Sequence, residues 1–109
     1  MAELIINAPF PFADNVFPAE LGAVVQRSVL DGSEPALFVA HTEDNAWLVG
    51  DGVSDPNIEG ACVVAPMVDV LAKDEKVTEV ADLPVGMAAY RDSADEPWQR
   101  ESFTWAEEG

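Results

Sequence analysis

The sequence predicts a single α+β domain: a mainly antiparallel sheet of four to six strands, with one longer N-terminal helix and a short helical pair packed on it. Three observations lead there. Short runs of strand formers (FVAH, AWLVG and ACVVA) are separated by turn compositions. Two other stretches carry their apolar residues at helical spacing. A chain of 109 residues that is 49% apolar has enough material for one core, and no room for a second domain.

Residues 1–17 read as an extended arm. Leu4, Ile5 and Ile6 suit a short strand, and APFPFADNVFP then holds too much proline for regular structure. Phe10, Phe12 and Phe17 read as plugs that pack this arm onto the domain. Residues 18–33 read as the long helix. Pro18 suits a first turn, Glu20 complements the N-terminal dipole, and Gly32 is placed to end it. Leu21, Val24, Val25 and Val29 recur at helical spacing and make one apolar face. Gly22 within it costs about 1 kcal/mol relative to alanine.

PALFVAH and AWLVGD flank TEDN, a turn composition, and predict a hairpin. With a loop of two or four residues, Leu37, Val39, His41 and Leu48 share one face, and Phe38, Ala40, Trp47 and Val49 the other. Both faces are substantially apolar, which places the hairpin inside a sheet covered on both sides. GACVVA reads as a further buried strand. Met67, Val70 and Leu71 then stand at i, i+3 and i+4, and EKVTEVADL continues as a second helical turn that stops at Pro84. Residues 86–103 read as two strands joined by an acidic turn, with Trp98, Arg100 and Ser102 on one face. Residues 104–109 read as a disordered tail.

The charge is the outlier. Twenty-one acids against five bases leave −16. The acids are spread along the chain, so the excess coats the whole domain rather than a tail. Such a field repels nucleic acid and anionic membranes, because phosphate binding needs Lys and Arg. It attracts a basic protein partner over long range, although on composition alone solubility or salt adaptation is the prior account, because net charge speaks to solubility before it speaks to partners. The N-terminus has no basic region ahead of an apolar run, and no apolar run approaches the roughly 18 residues of a membrane span. These features place the protein in the cytoplasm.

Few residues invite chemistry. Cys62 is the only cysteine, so no internal disulfide can form. Its apolar neighbours predict a buried thiol that is hard to ionise. His41 is the only histidine, followed by Glu43, Asp44, Asn45 and Asp51. No G-x-S-x-G or other nucleophile signature accompanies it, and it reads as a hairpin-end histidine satisfied by a carboxylate or a backbone carbonyl. Asp51, Asp55, Asn57 and Glu59 alternate somewhat like a calcium loop. However, Val53 takes the third position, Pro56 the sixth, and the segment reads as an acidic turn. Gly50, Gly52 and Gly60 do not make a dinucleotide fingerprint. No catalytic residue, metal ligand or cofactor-binding residue is therefore assigned. The alternative is a small enzyme or metal-dependent binder that uses His41 with Asp55 and Glu59. Trp47 and Trp98 read as core residues, whereas Trp105 near the end reads as an exposed aromatic able to anchor a partner. With Glu43, Asp44 and Asp51 it makes up the expected interaction set.

ALFVAHTEDNAWLVGDG, ACVVAPMVDVLAKD and VADLPVGMAAYRDSADEPWQRE follow one another in a telling order. His41, Trp47, an L-x-x-D helix over residues 71–74, a D-L-P-x-G segment over 82–86, Arg91 and W-x-R at 98–100 are its marks. In these marks residues 15–101 resemble a family of small acidic bacterial proteins of unknown function, similar to domains assigned to immunity proteins of polymorphic toxin systems. Thr42 departs from the aspartate often found after the histidine, and MAAYRD stands where that family usually places a tryptophan. The resemblance implies a non-enzymatic, immunity-like interaction module with no catalytic residues to carry over.

Overall fold

Val24 and Val25 lie in a strand, not in the helix that their spacing predicts. The computed structural model describes residues 5, 10, 12, 14, 16–18, 20–51 and 62–102. In chain order it contains β1 (Gly22–Gln26), the one-turn helix α1 (Arg27–Leu30), β2 (Phe38–His41), β3 (Trp47–Gly50) and β4 (Cys62–Pro66). These are followed by α2 (Met67–Lys73), a 3-10 helix (Glu75–Val80), β5 (Met87–Tyr90) and β6 (Gln99–Ser102). The strands form one six-stranded sheet in the order β4-β1-β3-β2-β5-β6. The β1–β3 pair is parallel and the other four pairings are antiparallel.

The α+β class, the mainly antiparallel sheet and the helical pair after β4 agree with expectation; the longer N-terminal helix over residues 18–33 does not form. Its central residues are claimed on both sides, because β1 pairs with β3 along one edge and with β4 along the other. Two β-branched residues in a row and Gly22 are poor helix material, and spacing of i, i+3, i+4 fits a strand buried between neighbours equally well. Only α1 survives of the helix, held at its end by the Asp31 and Gly32 amides, which donate to the carbonyls of Arg27 (2.8 Å) and Val29 (3.1 Å).

The hairpin corrects a second expectation. Five residues, not two or four, separate His41 from Trp47, and these two are register partners. Asn45 absorbs the odd residue in the left-handed region (φ 62°), a conformation asparagine tolerates. The Asn45 amide donates to the Thr42 carbonyl (2.9 Å), and the Ala46 amide donates to Thr42 Oγ1 (3.1 Å). An odd count reverses the parity. Trp47 and Val49 therefore join Val39 and His41 on one face, and Leu48 joins Ala40 and Phe38 on the other.

That parity decides where the core sits. Ala23, Val25, Val39, Trp47, Val49, Ala65 and Ala89 point to the same side of the sheet, and all belong to the buried cluster. Met67 and Val70 of α2, Val77 and Val80 of the 3-10 helix, and Leu83 close over them. Phe12 and Phe17 pack into the same cluster and Phe10 lies against it, as expected of aromatic plugs on the arm. On the opposite face Ala40 and Ala88 are also buried, as a sheet covered on both sides predicts for the hairpin, whereas Val64 on the edge strand β4 is exposed. Residues 104–109, and with them Trp105, lie outside the described residues, as do Asp55, Asn57 and Glu59.

Candidate functional site

His41 ends β2 and is fully buried. Its ring lies on Trp47 with centroids 4.0 Å apart and planes 15° from parallel, and Phe10 meets it edge-on at 4.7 Å. Nδ1–H donates to the Leu83 carbonyl at 2.7 Å, an oxygen that can only accept, which places the proton on that nitrogen. Nε2 lies 2.6 Å from the side-chain amide of Asn45. An amide offers an acceptor at one end and a donor at the other, so Asn45 can match the ring nitrogen that faces it. Both ring nitrogens are thus committed to neighbours. The backbone of the same residue is held too, since the Gly86 amide donates to the His41 carbonyl at 2.7 Å. Gly86 adopts φ 84°, a conformation that side chains other than hydrogen resist. Trp47 is fully buried, and its Nε1 finds no partner among the described residues; packing, not hydrogen bonding, holds it there.

A second cluster forms around Arg91, just beyond β5. Its guanidinium is fully buried and its donors are well used. Nε and Nη2 donate to the Ala36 carbonyl at 3.0 and 2.8 Å, and Nη1 donates to the Ala94 carbonyl at 3.0 Å. Nη2 also pairs with Asp74, and the guanidinium carbon stands 4.3 Å from the centre of the Trp98 ring. Trp98 Nε1–H donates to the Lys76 carbonyl at 3.0 Å. Nearby, Arg100 pairs with Asp82 at 2.8 Å in a more exposed setting.

Every mark of the sequence pattern has a partner within that pattern. His41 stacks on Trp47 and bonds the D-L-P-V-G segment through Leu83 and Gly86. Arg91 joins Asp74 of the L-x-x-D segment to Trp98, and Arg100 joins Asp82. These contacts tie the β2–β3 hairpin, the helical layer and the last strands together, which is an architectural role.

The expected interaction residues are not gathered in one place. Glu43 and Asp44 are exposed in the β2–β3 turn. Asp51 follows β3 at its opposite end and is buried; it accepts from Ser28 Oγ at 2.7 Å, and its amide donates to Gln26 Oε1 at 2.6 Å. A Cβ at Gly50 would stand 2.7 Å from that Gln26 oxygen, so a larger residue there would displace the Gln26 side chain from the Asp51 amide. Cys62 is half-buried rather than buried; desolvation pushes its thiol up, and the Asp51 charge adds to the effect. The chain's two lysines, Lys73 and Lys76, flank a surface groove of about 520 Å³. Glu34, Asp74 and Glu75 line the same groove, so it offers no net positive field.

Sequence reasoning missed Asn45 and Leu83 as the partners of His41, and Asp74 as the partner of Arg91. Asn45 was legible in principle, as a turn residue suited to the left-handed region. The Leu83 carbonyl lies 42 residues from His41 and left no local signal. Among the described residues no three His, Cys, Asp or Glu side chains converge as metal ligands do, and no helix is long and apolar enough to cross a membrane. Comparison with protein-family models, curated proteins and solved structures found no match.

Proposed function

We propose that this chain is a non-enzymatic interaction module that binds a basic protein partner in the cytoplasm, in the manner of an immunity protein. One observation carries the reading: His41, the only histidine, is consumed by the fold. A general base must reach the proton it removes, and both nitrogens of this ring are occupied inside a stack of aromatic residues. That leaves the charge as the feature that distinguishes the protein. A domain at −16 steers a cationic partner from a distance and rejects anionic ones. The enzyme or metal-binding alternative with Asp55 and Glu59 draws no support from the surroundings of His41.

The test is capture from an extract of the native cell on the immobilised protein, at about 20 mM and about 500 mM salt, a span over which the screening length shortens several-fold. The reading expects a basic protein retained at low salt and released at high salt. Retention of nothing at low salt, or of a partner that is itself acidic, would overturn it.

A further inference from the structure

The face of the sheet opposite the core is the least explained surface of the molecule. Register places Val64, Val24, Leu48, Ala40 and Ala88 in one row across five strands, with Tyr90 beside it. Val64 is 58% exposed and Tyr90 39%, Val24 and Leu48 are partly exposed, and Ala40 and Ala88 are buried, so the accessible apolar part of the row is Val64, Val24 and Leu48. From β4 to β5 no strand residue on this face is charged, in a chain where 24% of residues are. The first charge in the row is Glu101, on β6 opposite Ala88. Beyond Tyr90 a depression of about 240 Å³ is lined by Tyr90, Arg91, Asp92, Glu96, Pro97 and Gln99. Of the five cations, Arg100 points to the helical side with Ala89, the Arg91 side chain pairs with Asp74, both lysines belong to the helical layer, and Arg27 opens α1 beyond the end of β1.

We propose that this face is the docking surface for the basic partner, with an apolar patch of the partner seated on Val24, Leu48 and Val64 and its Lys or Arg side chains reaching Glu101, Asp92 and Glu96. The proposal rests on the interaction reading above and adds to it where the contact is made. Charge and area together select this occupant. The exposed apolar residues lie on three adjacent strands, β4, β1 and β3, which at about 4.8 Å spacing and about four residues each give an apolar centre of about 200 Å² or less. Two such faces buried against each other fall well short of the roughly 1,000 Å² that a specific interface needs. A second copy would also bring −16 against −16. A partner with a cationic rim gains its remaining contacts from the acids at the β5–β6 end, and Tyr90 offers a ring face to an ammonium or guanidinium group there.

The probe is a ten-residue peptide of alternating leucine and lysine, compared with one in which serine replaces every leucine, so that charge is held constant. Each is titrated into ¹⁵N-labelled protein at low salt. The expected result is that the leucine peptide binds at least ten-fold tighter and shifts the amides around Val24, Leu48, Val64 and Tyr90. Val64→Ser, at an exposed position and with an unchanged melting temperature, is expected to weaken it at least three-fold, and the triple change Asp92→Asn, Glu96→Gln, Glu101→Gln to do the same. Equal binding of both peptides with shifts confined to other acidic segments would overturn the docking surface and leave the interaction reading standing. No binding of either peptide would remove both. Sedimentation showing a self-associating protein made monomeric by Val64→Lys would overturn the basic occupant in favour of a second copy.

Discussion

The imidazole of His41 and the indole of Trp47 lie face to face, 4.0 Å apart, at the closed end of the β2–β3 hairpin. This contact exists because Asn45 takes a left-handed conformation that makes the loop odd in length. It turns the one residue with an obvious chemical use into a structural pin between the hairpin and the segment containing Leu83.

His41→Ala removes a fully buried ring, its stack and the donor to the Leu83 carbonyl. Cavity formation and an orphaned acceptor together predict a loss of about 2–4 kcal/mol. Urea unfolding measures it, and association with a partner is expected to be unchanged once the variant is folded. A stability loss under 1 kcal/mol would show that the stack does not hold the hairpin.

The two ion pairs are expected to differ sharply. Arg91 is fully buried and Asp74 nearly so, whereas the Arg100 and Asp82 side chains are 36% and 49% exposed. Asp74→Ala leaves a buried guanidinium short of its counter-charge and is expected to cost about 3 kcal/mol. Asp82→Ala breaks a solvent-screened pair and is expected to cost less than about 1 kcal/mol. Comparison of the two unfolding midpoints checks this, and equal losses would contradict it.

Much of the sheet was legible in the sequence. FVAH, WLVG and CVVAP carry β-branched and aromatic residues bounded by turn compositions, and each became a strand. Residues 18–33 misled because helical spacing and a buried strand share a pattern when the strand has neighbours on both sides; only the long-range pairing of Val24 and Val25 decides between them. The faces of the hairpin misled for a smaller reason, a single residue of loop length. The partners of His41 and Arg91 are mainly backbone carbonyls, and a carbonyl carries no signature in sequence.

Cys62 provides a chemical check on the face of the sheet. Partial desolvation and the nearby Asp51 carboxylate both raise its pKa, so less thiolate is present at a given pH than in an unstructured chain. Labelling by a thiol reagent at pH 8 is expected to be several-fold slower in the native protein than in denaturant, with the two rates converging as pH rises through the thiol's raised pKa. Equal rates at pH 8 would contradict this environment.

The central claim is that the acidity is there to bind. It is tested most directly by the association rate of the captured basic partner with the wild type and with Glu43→Lys/Asp44→Lys, two exposed turn positions, measured as salt is raised. Steered association loses its advantage as the screening length falls to about 8 Å at physiological ionic strength. The account predicts a wild-type rate that falls steeply with salt, a variant about ten-fold slower at low salt, and a variant melting temperature level or higher because repulsion is relieved. Identical association rates for wild type and variant, flat across the salt range, would contradict it and leave the charge as a device for solubility.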